Sequence, residues 1–265
     1  MQLPDEEITT REVTQWQGVH LIHNTLSSCS QKVRILLDEL GISYVSHPIN
    51  LLRNEQRSDW YLGINPRGLV PVLVHNGVVH IESNDIIQYL NRQFASPDQS
   101  FLPETDIELL EMQTLMDLED ARHTDLRTVT FTYLAPDPSD HAPKRCEDDY
   151  GHISRFHDAC CTLDAQLAGR SFLLGERMTL ADISWFITLY RLNLAQFPMH
   201  KYPQLDAYFN RLITRPIFRK EVNAGPMPIR LAGALYRRIT HIFRHSLAAD
   251  YEKWNAENTS GRAKP

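Results

Sequence analysis

Three serines and one cysteine stand close together in the segment Ser-Ser-Cys-Ser-Gln-Lys-Val-Arg at residues 27 to 34. An apolar stretch at residues 19 to 23 predicts a strand before them, and apolar positions from Val33 to Leu40 recur at helical spacing after them. The hydroxyls therefore lie at a helix N-terminus, where unpaired N–H groups and the positive end of the helix dipole stabilise an anion by ~0.3–1 kcal/mol. Such a junction suits a thiolate, a carboxylate or a phosphate.

The elements that follow place a second helix N-terminus beside the first. Residues 43 to 49 predict a second strand, and a third strand begins just after Pro71. Because proline removes a ladder donor, Pro71 belongs at an edge, a strand start or a cis turn, and a cis bond would expose the backbone of Val70. An Asn-Gly hairpin turn leads to a fourth strand, after which Glu82 and Ser83 open an amphipathic helix.

This order of elements, β-α-β-α and then a β-hairpin and a helix, resembles the thioredoxin-like N-terminal domain of soluble glutathione transferases. The resemblance covers residues 17 to 95. The motif Ser-Ser-Cys-Ser-x-Lys-Val-Arg, followed by Pro-Ile-Asn-Leu-Leu at residues 48 to 52, is similar to the zeta class in particular. The resemblance implies an α/β thioredoxin-like N-terminal domain, an all-α helical C-terminal domain and glutathione as the co-substrate.

The resemblance also implies roles for individual residues. Ser27 matches the serine whose hydroxyl donates a hydrogen bond to the glutathione sulfur and so lowers the thiol pKa. Val70, which precedes Pro71, matches the residue whose backbone N–H and C=O pair with the cysteinyl part of the tripeptide as an added strand. At the γ-glutamyl end, Ser83 would take the carboxylate and Glu82 the ammonium.

The loop before the third strand supplies a further match. Gln56 corresponds to a glutamine that contacts the peptide. Leu69 stands where many members place Gln or Lys, so a polar contact to the glycyl end of the tripeptide would be missing. Arg67 is a candidate to replace that contact.

Two residues at the first junction have alternative interpretations. Cys29 is either a second sulfur nucleophile, acidified by the helix terminus and able to form a mixed disulfide with glutathione, or a small residue that packs beside the site. Ser27 is alternatively a plain helix cap. Ser28 is the nearest rival of Ser27 as the hydroxyl that binds the thiol.

Changes in composition along the chain predict four parts. These are a polar N-terminal extension at residues 1–17, the glutathione-binding domain at 18–95, an all-helical domain at 104–225 and a helical extension at 226–265. Within the all-helical domain, Thr179 and Asp182 predict a capping box at the start of a helix.

The C-terminal extension sets this chain apart from typical zeta members. Residues 229 to 248 predict an amphipathic helix, which either packs over the helical domain or binds a membrane surface or a partner. With this extension, the domain order of the chain resembles the group of glutathione transferases named for tetrachlorohydroquinone dehalogenase. It also resembles the bacterial ether-cleaving members.

Composition excludes several other classes of protein. The net charge of −6 and the absence of a broad basic block argue against nucleic acid as a partner. The four cysteines and twelve histidines show no metal-site or disulfide spacing, so we expect no metal and reduced thiols. Residues 1 to 18 lack the apolar core of a signal peptide and the tail is too polar to span a bilayer, so we expect a cytoplasmic protein. The family resemblance implies a homodimer.

Three functions agree with these observations. The first is a glutathione transferase whose thiolate attacks a hydrophobic electrophile, with dehalogenation or ether cleavage as the reaction. The second is a glutathione-dependent cis-trans isomerase of a maleyl-type diacid. The third is a non-catalytic scaffold that binds glutathione and uses the tail for interaction.

Overall fold

The computed structural model describes residues 1–134, 150–224 and 246–261, together with residues 234, 235 and 238. The helix predicted over residues 229 to 248 therefore lies almost wholly outside the described residues. Within them the chain divides into two units, Met1–Glu104 with Arg215–Ala224, and Thr105–Thr214 with the described tail residues. The first unit contains a mixed sheet with helices and the second is helical, which confirms the predicted fold class.

The first unit is built on a four-stranded sheet in the order β2-β1-β3-β4. Its strands are β1 (Val19–His23), β2 (Val45–Pro48), β3 (Val72–His75) and β4 (Val78–His80). β1 runs parallel to β2 and antiparallel to β3, and β3 runs antiparallel to β4. The helices of this part of the chain are α1 (Ser28–Glu39), α2 (Asp59–Leu62) and α3 (Ser83–Phe94).

Apolar side chains on the central strands and the helices form the core of this unit. Leu21 on β1 pairs in register with Leu73 on β3, and both are fully buried. α1 and α3 pack against one another and bury Leu36 and Ile86 completely. Burial of each such side chain contributes about 1.5–3 kcal/mol relative to exposure. Packing therefore fixes the positions of both helix N-termini.

The first sixteen residues, which the sequence predicts as part of a polar extension at residues 1–17, belong to this unit. Leu3, Ile8 and Val13 are at most 4% exposed and lie in the same core cluster as Tyr61. Their spacing of five residues matches neither the helical period nor the alternation of a strand. The segment turns instead through two short 3-10 helices, and for this reason the sequence pattern does not reveal its packing.

The second unit is helical in its described parts. Its helices are α4 (Asp106–Asp120), α5 (His123–Val129), α6 (Gly151–Gln166), α7 (Leu180–Leu194), α8 (Pro203–Leu212) and the C-terminal helix Leu247–Gly261. A π-helical turn, Thr130–Leu134, follows α5 directly. No helix among the described residues is long and apolar enough to cross a membrane.

The capping box predicted at Thr179 and Asp182 is present at the N-terminus of α7. The fully buried Asp182 carboxylate accepts from the N–H of Thr179 at 2.6 Å and from its hydroxyl at 3.0 Å. It also accepts from the N–H of Leu173 at 3.0 Å and from the hydroxyl of Tyr208 on α8 at 2.8 Å. The carboxylate therefore joins two helices and a loop in addition to closing α7.

A short helix, α9 (Pro216–Val222), packs on α1 and belongs to the first unit, which differs from its predicted place in the C-terminal domain. Arg34 on α1 and Glu221 on α9 form a buried ion pair, with Nε of Arg34 at 3.2 Å from both carboxylate oxygens. Lys220 contacts Asp38 at 2.7 Å across the same interface. Such long-range ion pairs leave no periodic signal in the sequence.

Arg34 also holds the loop that joins β1 to α1. Its guanidinium donates to the carbonyl oxygens of Asn24 at 3.1 Å and Thr25 at 2.7 Å, and to Nδ1 of His23 at 2.7 Å. Because arginine only donates, Nδ1 of His23 is the acceptor, and its Nε2 carries the proton that faces Oγ of Ser46 at 2.7 Å. Burial, reinforced by the Arg34 charge, lowers the pKa of His23 to about 4. The loop is therefore held by a charged arginine and a neutral histidine.

Replacement of Asp182 by alanine removes all of its contacts and leaves the Tyr208 hydroxyl buried without its acceptor. Hydrogen bonds to a charged group are worth about 1.5–3 kcal/mol each, and loss of a cap costs about 0.5–2 kcal/mol. We expect Asp182→Ala to lower the free energy of unfolding by at least about 3 kcal/mol, with Tyr208→Phe as the milder comparison. Urea unfolding measures both. A loss of activity at unchanged stability would contradict the structural role of Asp182.

Acid is expected to weaken the contacts of His23. Its pKa in the folded protein, about 4, lies below its ordinary value of 6.5, so the unfolded chain takes up a proton first as the pH falls. The contribution of His23 to the free energy of unfolding is therefore complete above pH 6.5 and is lost between pH 6.5 and about pH 4. Urea unfolding at about pH 7.5 and about pH 5 measures this loss.

His23→Gln is the matched variant, because a glutamine amide accepts from Arg34 and donates to Ser46 without titrating. Its loss of stability between the two pH values should be smaller than that of the wild type. Burial also lowers the pKa of His80 to about 4. His80 therefore contributes the same dependence of stability on pH in both proteins. Equal losses in the two proteins would show that His23 does not have this role.

Candidate functional site

Ser27 is the N-cap residue of α1. Its backbone is extended, with φ −68° and ψ 124°, and its hydroxyl oxygen accepts a hydrogen bond from the N–H of Ser30 at 3.3 Å. A serine hydroxyl has one proton to donate and two lone pairs that accept. Capping therefore leaves the Ser27 proton available to a bound thiolate, so the cap and the thiol-binding interpretations are compatible.

The residues after Ser27 form the first turn of α1. Ser28 is 5% exposed and Ser30 is fully buried, whereas Ser27 and Cys29 are half-buried. The backbone N–H groups of a first helical turn lack intrahelical partners, and the helix dipole favours negative charge at the same point. The terminus therefore suits a bound anion, as the sequence predicts.

The peptide bond between Val70 and Pro71 is cis and lies just before β3. The preceding carbonyl is held in place, because Leu69 C=O accepts from the Tyr61 hydroxyl at 2.5 Å and from the Asn65 amide at 2.8 Å. In the described part of the chain, neither the N–H nor the C=O of Val70 has a hydrogen-bond partner. Val70 is half-buried, and backbone groups without partners are what an extended peptide pairs with when it adds as a strand.

Glu82 and Ser83 stand at the N-terminus of α3. Glu82 has φ 65° and ψ 114°, a conformation that costs a non-glycine residue about 1–3 kcal/mol and that is concentrated at functional sites. Its carboxylate pairs with Arg67, the candidate contact for the glycyl end. The Arg67 and Glu82 side chains are 50% and 39% exposed, so solvent screening makes the pair weak and exchangeable. Ser83 is 6% exposed and begins the helix.

Gln56 lies in a short 3-10 helix, Glu55–Arg57, just before α2. Its amide oxygen is buried and has no hydrogen-bond partner among the described residues. A Cβ atom at Gly68 would lie 3.0 Å from the carbonyl oxygen of Gln56 and 2.9 Å from Nη1 of Arg57, so the Gln56 loop closely approaches the turn before Val70. A buried acceptor without a partner is rare in folded proteins.

Sequence reasoning missed Lys32. Its side chain is 2% exposed, and Nζ lies 3.4 Å from Oδ1 of Asn84 on the first turn of α3. Lys32 stands four residues after Ser28, on the same face of α1, so its ammonium lies near the N-termini of both helices. A buried ammonium needs polar or anionic partners, and a carboxylate held at Ser83 suits it. The signal in the sequence was a lysine on the apolar face of a helix.

The described cysteines of the second unit do not form a comparable site. Burial raises the pKa of the fully buried Cys160 thiol, and burial followed by the Asp158 and Asp164 charges raises the pKa of Cys161. Neither thiol suits nucleophilic chemistry, because the thiolate is the reactive form. In the described residues, no group of three or more His, Cys, Asp or Glu side chains is arranged to hold a metal ion.

Family models match both parts of the chain. The model of the glutathione S-transferase N-terminal domain matches residues 26–93, and that of the C-terminal domain matches residues 129–211. The chain is 31% identical to a zeta-class glutathione S-transferase of Euphorbia esula, over 70% of this chain and 86% of that protein. It is 26% identical to glutathione S-transferase 3 of Zea mays, over 74% of this chain and 90% of that protein.

Solved structures show the same fold. A glutathione transferase homolog from Drosophila mojavensis with bound glutathione has a TM-score of 0.71 at 23% identity, covering 83% of this chain and 98% of that one. The beta-etherase LigF from Sphingobium has a TM-score of 0.66 at 22% identity, covering 79% of this chain and 100% of that one. The two domain matches and the identity to the zeta-class protein show that this chain belongs to the glutathione S-transferase family, with glutathione as its co-substrate.

Proposed function

We propose that this transferase activates the thiol of glutathione at the N-terminus of α1 and transfers the sulfur to a carbon atom of a hydrophobic electrophile. The geometry of Ser27 is the observation that carries the proposal. Its oxygen is used as the cap acceptor for the N–H of Ser30, while its proton stays available at the positive end of the helix. The hydroxyl and the helix terminus then act on the same sulfur atom.

In this proposal the rest of the tripeptide lies extended along the first unit. The cysteinyl backbone pairs with the N–H and C=O of Val70, just ahead of Pro71. The γ-glutamyl ammonium takes the place of the arginine partner of Glu82, and the carboxylate binds Ser83 and the N-terminus of α3. The Gln56 side chain turns so that its amide oxygen, which is buried without a partner in the described part of the structure, accepts a peptide N–H.

The energetic requirement agrees with these groups. Lowering a thiol pKa by two to three units is worth about 3–4 kcal/mol. A hydrogen bond to a charged group supplies about 1.5–3 kcal/mol, and a helix N-terminus supplies about 0.3–1 kcal/mol, or about 2 kcal/mol when partly buried. The Ser27 hydroxyl and the terminus of α1 together account for the shift, and the hydroxyl supplies the larger share.

The electrophile that we propose is a halogenated or aryl-ether carbon. The thiolate attacks this carbon and forms a C–S bond, while the carbon–halogen or C–O bond breaks and its electron pair leaves on the halide or the aryl oxide. Ether substrates are included because the beta-etherase LigF has the same fold. A homodimer in the cytoplasm is part of the proposal; Ile107 and Leu110 on α4, 80% and 70% exposed, offer an apolar surface to a second copy.

A second candidate function is cis-trans isomerisation of a maleyl-type diacid. The Ser-Ser-Cys-Ser motif and the 31% identity to a zeta-class relative favour it. Glutathione would add reversibly to the double bond and be regenerated, so turnover would leave total glutathione unchanged. Transfer to a halogenated or ether carbon instead consumes glutathione as product forms.

Ser27→Ala tests the thiol activation directly. The ultraviolet absorbance of the thiolate, titrated against pH, gives the pKa of the glutathione thiol in the complex. We expect this pKa to be depressed in the wild type and to lie close to that of free glutathione in the variant. We expect kcat/KM to fall about 10- to 100-fold, as loss of about 1.4–2.7 kcal/mol of transition-state stabilisation requires. Cys29→Ala is the control and should keep the depressed pKa. A pKa that returns in Cys29→Ala but not in Ser27→Ala would refute the role of Ser27.

A further inference from the structure

We propose that residues 1–16, the N-terminal strap, position the segment of residues 56 to 70, which contains α2 and the proposed glutathione contacts Gln56 and Val70. The proposal rests on the proposed function, because it assumes that the backbone of Val70 binds glutathione. The strap lies outside the match to the family model, which begins at residue 26. The family match therefore does not account for its role.

The strap is fastened to the core of the first unit along its length. Gln2 bridges His80 in antiparallel fashion, and the N–H of Leu3 donates to the carbonyl of Val79 at 2.9 Å, so the strap extends the sheet beside β4. Ile8 and Val13 are 2% and 0% exposed and lie in the core cluster that contains Tyr61. The strap is thus an integral layer of the unit.

Between these anchors the strap makes polar contacts with α2 and with Gly63, the residue that follows α2. The N–H groups of Thr9 and Thr10 both donate to the carbonyl of Gly63, at 2.8 and 3.1 Å. The Thr10 hydroxyl donates to the Trp60 carbonyl at 2.7 Å, and the Trp60 indole donates to the Glu12 carboxylate at 2.5 Å. A Cβ atom at Gly63 would lie 2.2 Å from the Thr10 hydroxyl oxygen, so the two segments are in direct contact.

α2 is hydrogen-bonded in turn to the backbone just before Val70. Tyr61 is fully buried, and its hydroxyl donates to the carbonyl of Leu69, the residue before Val70. Asn65, two residues beyond Gly63, donates to the same carbonyl. A shift of α2 would therefore move Leu69, and with it the N–H and C=O of Val70.

The strap acts on affinity for glutathione and not on thiol activation. Among the described residues, none of its hydrogen bonds reaches the β1–α1 junction, which is held instead by the contacts of Arg34 with Asn24 and Thr25. Loosening the strap should therefore weaken binding of the tripeptide backbone at Val70. The pKa of the bound thiol, set at Ser27, should not change.

The test removes the two side-chain contacts without touching the buried anchors. Thr10→Val with Glu12→Ala eliminates the bonds to Trp60, whereas Thr10→Ser with Glu12→Gln retains both. Thr14→Val is the matched control, because the Thr14 hydroxyl donates to the carbonyl of Arg11 within the strap itself. Calorimetric titration with glutathione gives the Kd of each protein, the thiolate absorbance gives the thiol pKa, and amide hydrogen exchange reports on residues 56 to 70.

We expect the double variant Thr10→Val, Glu12→Ala to raise the Kd for glutathione about three- to tenfold and to speed exchange in residues 56 to 70 at an unchanged thiol pKa. The conservative pair and Thr14→Val should match the wild type. An unchanged Kd in the double variant, an equal rise in Thr14→Val, or a thiol pKa that shifts together with the Kd would overturn the strap proposal. Wild-type protein that binds no glutathione would instead refute the proposed function, and the strap proposal with it.

Discussion

The guanidinium of Arg34 is the group on which the β1–α1 junction depends, because its donors reach three separate parts of the first unit. It binds the carbonyls of the loop after β1, the imidazole of His23 and the carboxylate of Glu221. Burial raises the pKa of Glu221, and the hydrogen bonds and charge of Arg34 oppose that rise. Because removal of one member of a buried ion pair leaves the other uncompensated, the loop before Ser27 and the docking of α9 depend on the same side chain.

The proposed chemistry follows from groups of opposite polarity arranged around this junction. The N-termini of α1 and α3 and the buried Lys32 ammonium favour negative charge, which suits the sulfur and the γ-glutamyl carboxylate. Glu82 supplies a carboxylate for the ligand ammonium, and Arg67 pairs with it in the structure. Between them, in the proposed complex, Val70 supplies backbone groups that pair with the peptide. A chain with a net charge of −6 thus gathers groups that favour an anion in one place.

Local patterns in the sequence predicted the parts of the fold and site that local contacts determine. The cap at Ser27, the strand that begins just after Pro71 and the capping box of Thr179 and Asp182 all depend on residues close together in the chain. Contacts between distant segments were not predictable. The buried residues around Ile8 follow neither helical nor strand spacing, and the pairing of Arg34 with Glu221 joins residues far apart in sequence. The engagement of Arg67 with Glu82 was missed for the same reason.

The complex with glutathione is the most direct test of the central claim, that the cap of α1 binds the sulfur. A crystal structure of that complex should place the sulfur within hydrogen-bond distance of the Ser27 hydroxyl, about 3–3.5 Å away, with the cysteinyl backbone paired to Val70. Glu82 should then have exchanged Arg67 for the ligand ammonium. A sulfur bonded to Cys29 as a mixed disulfide, or a tripeptide that does not contact Val70, would contradict this account.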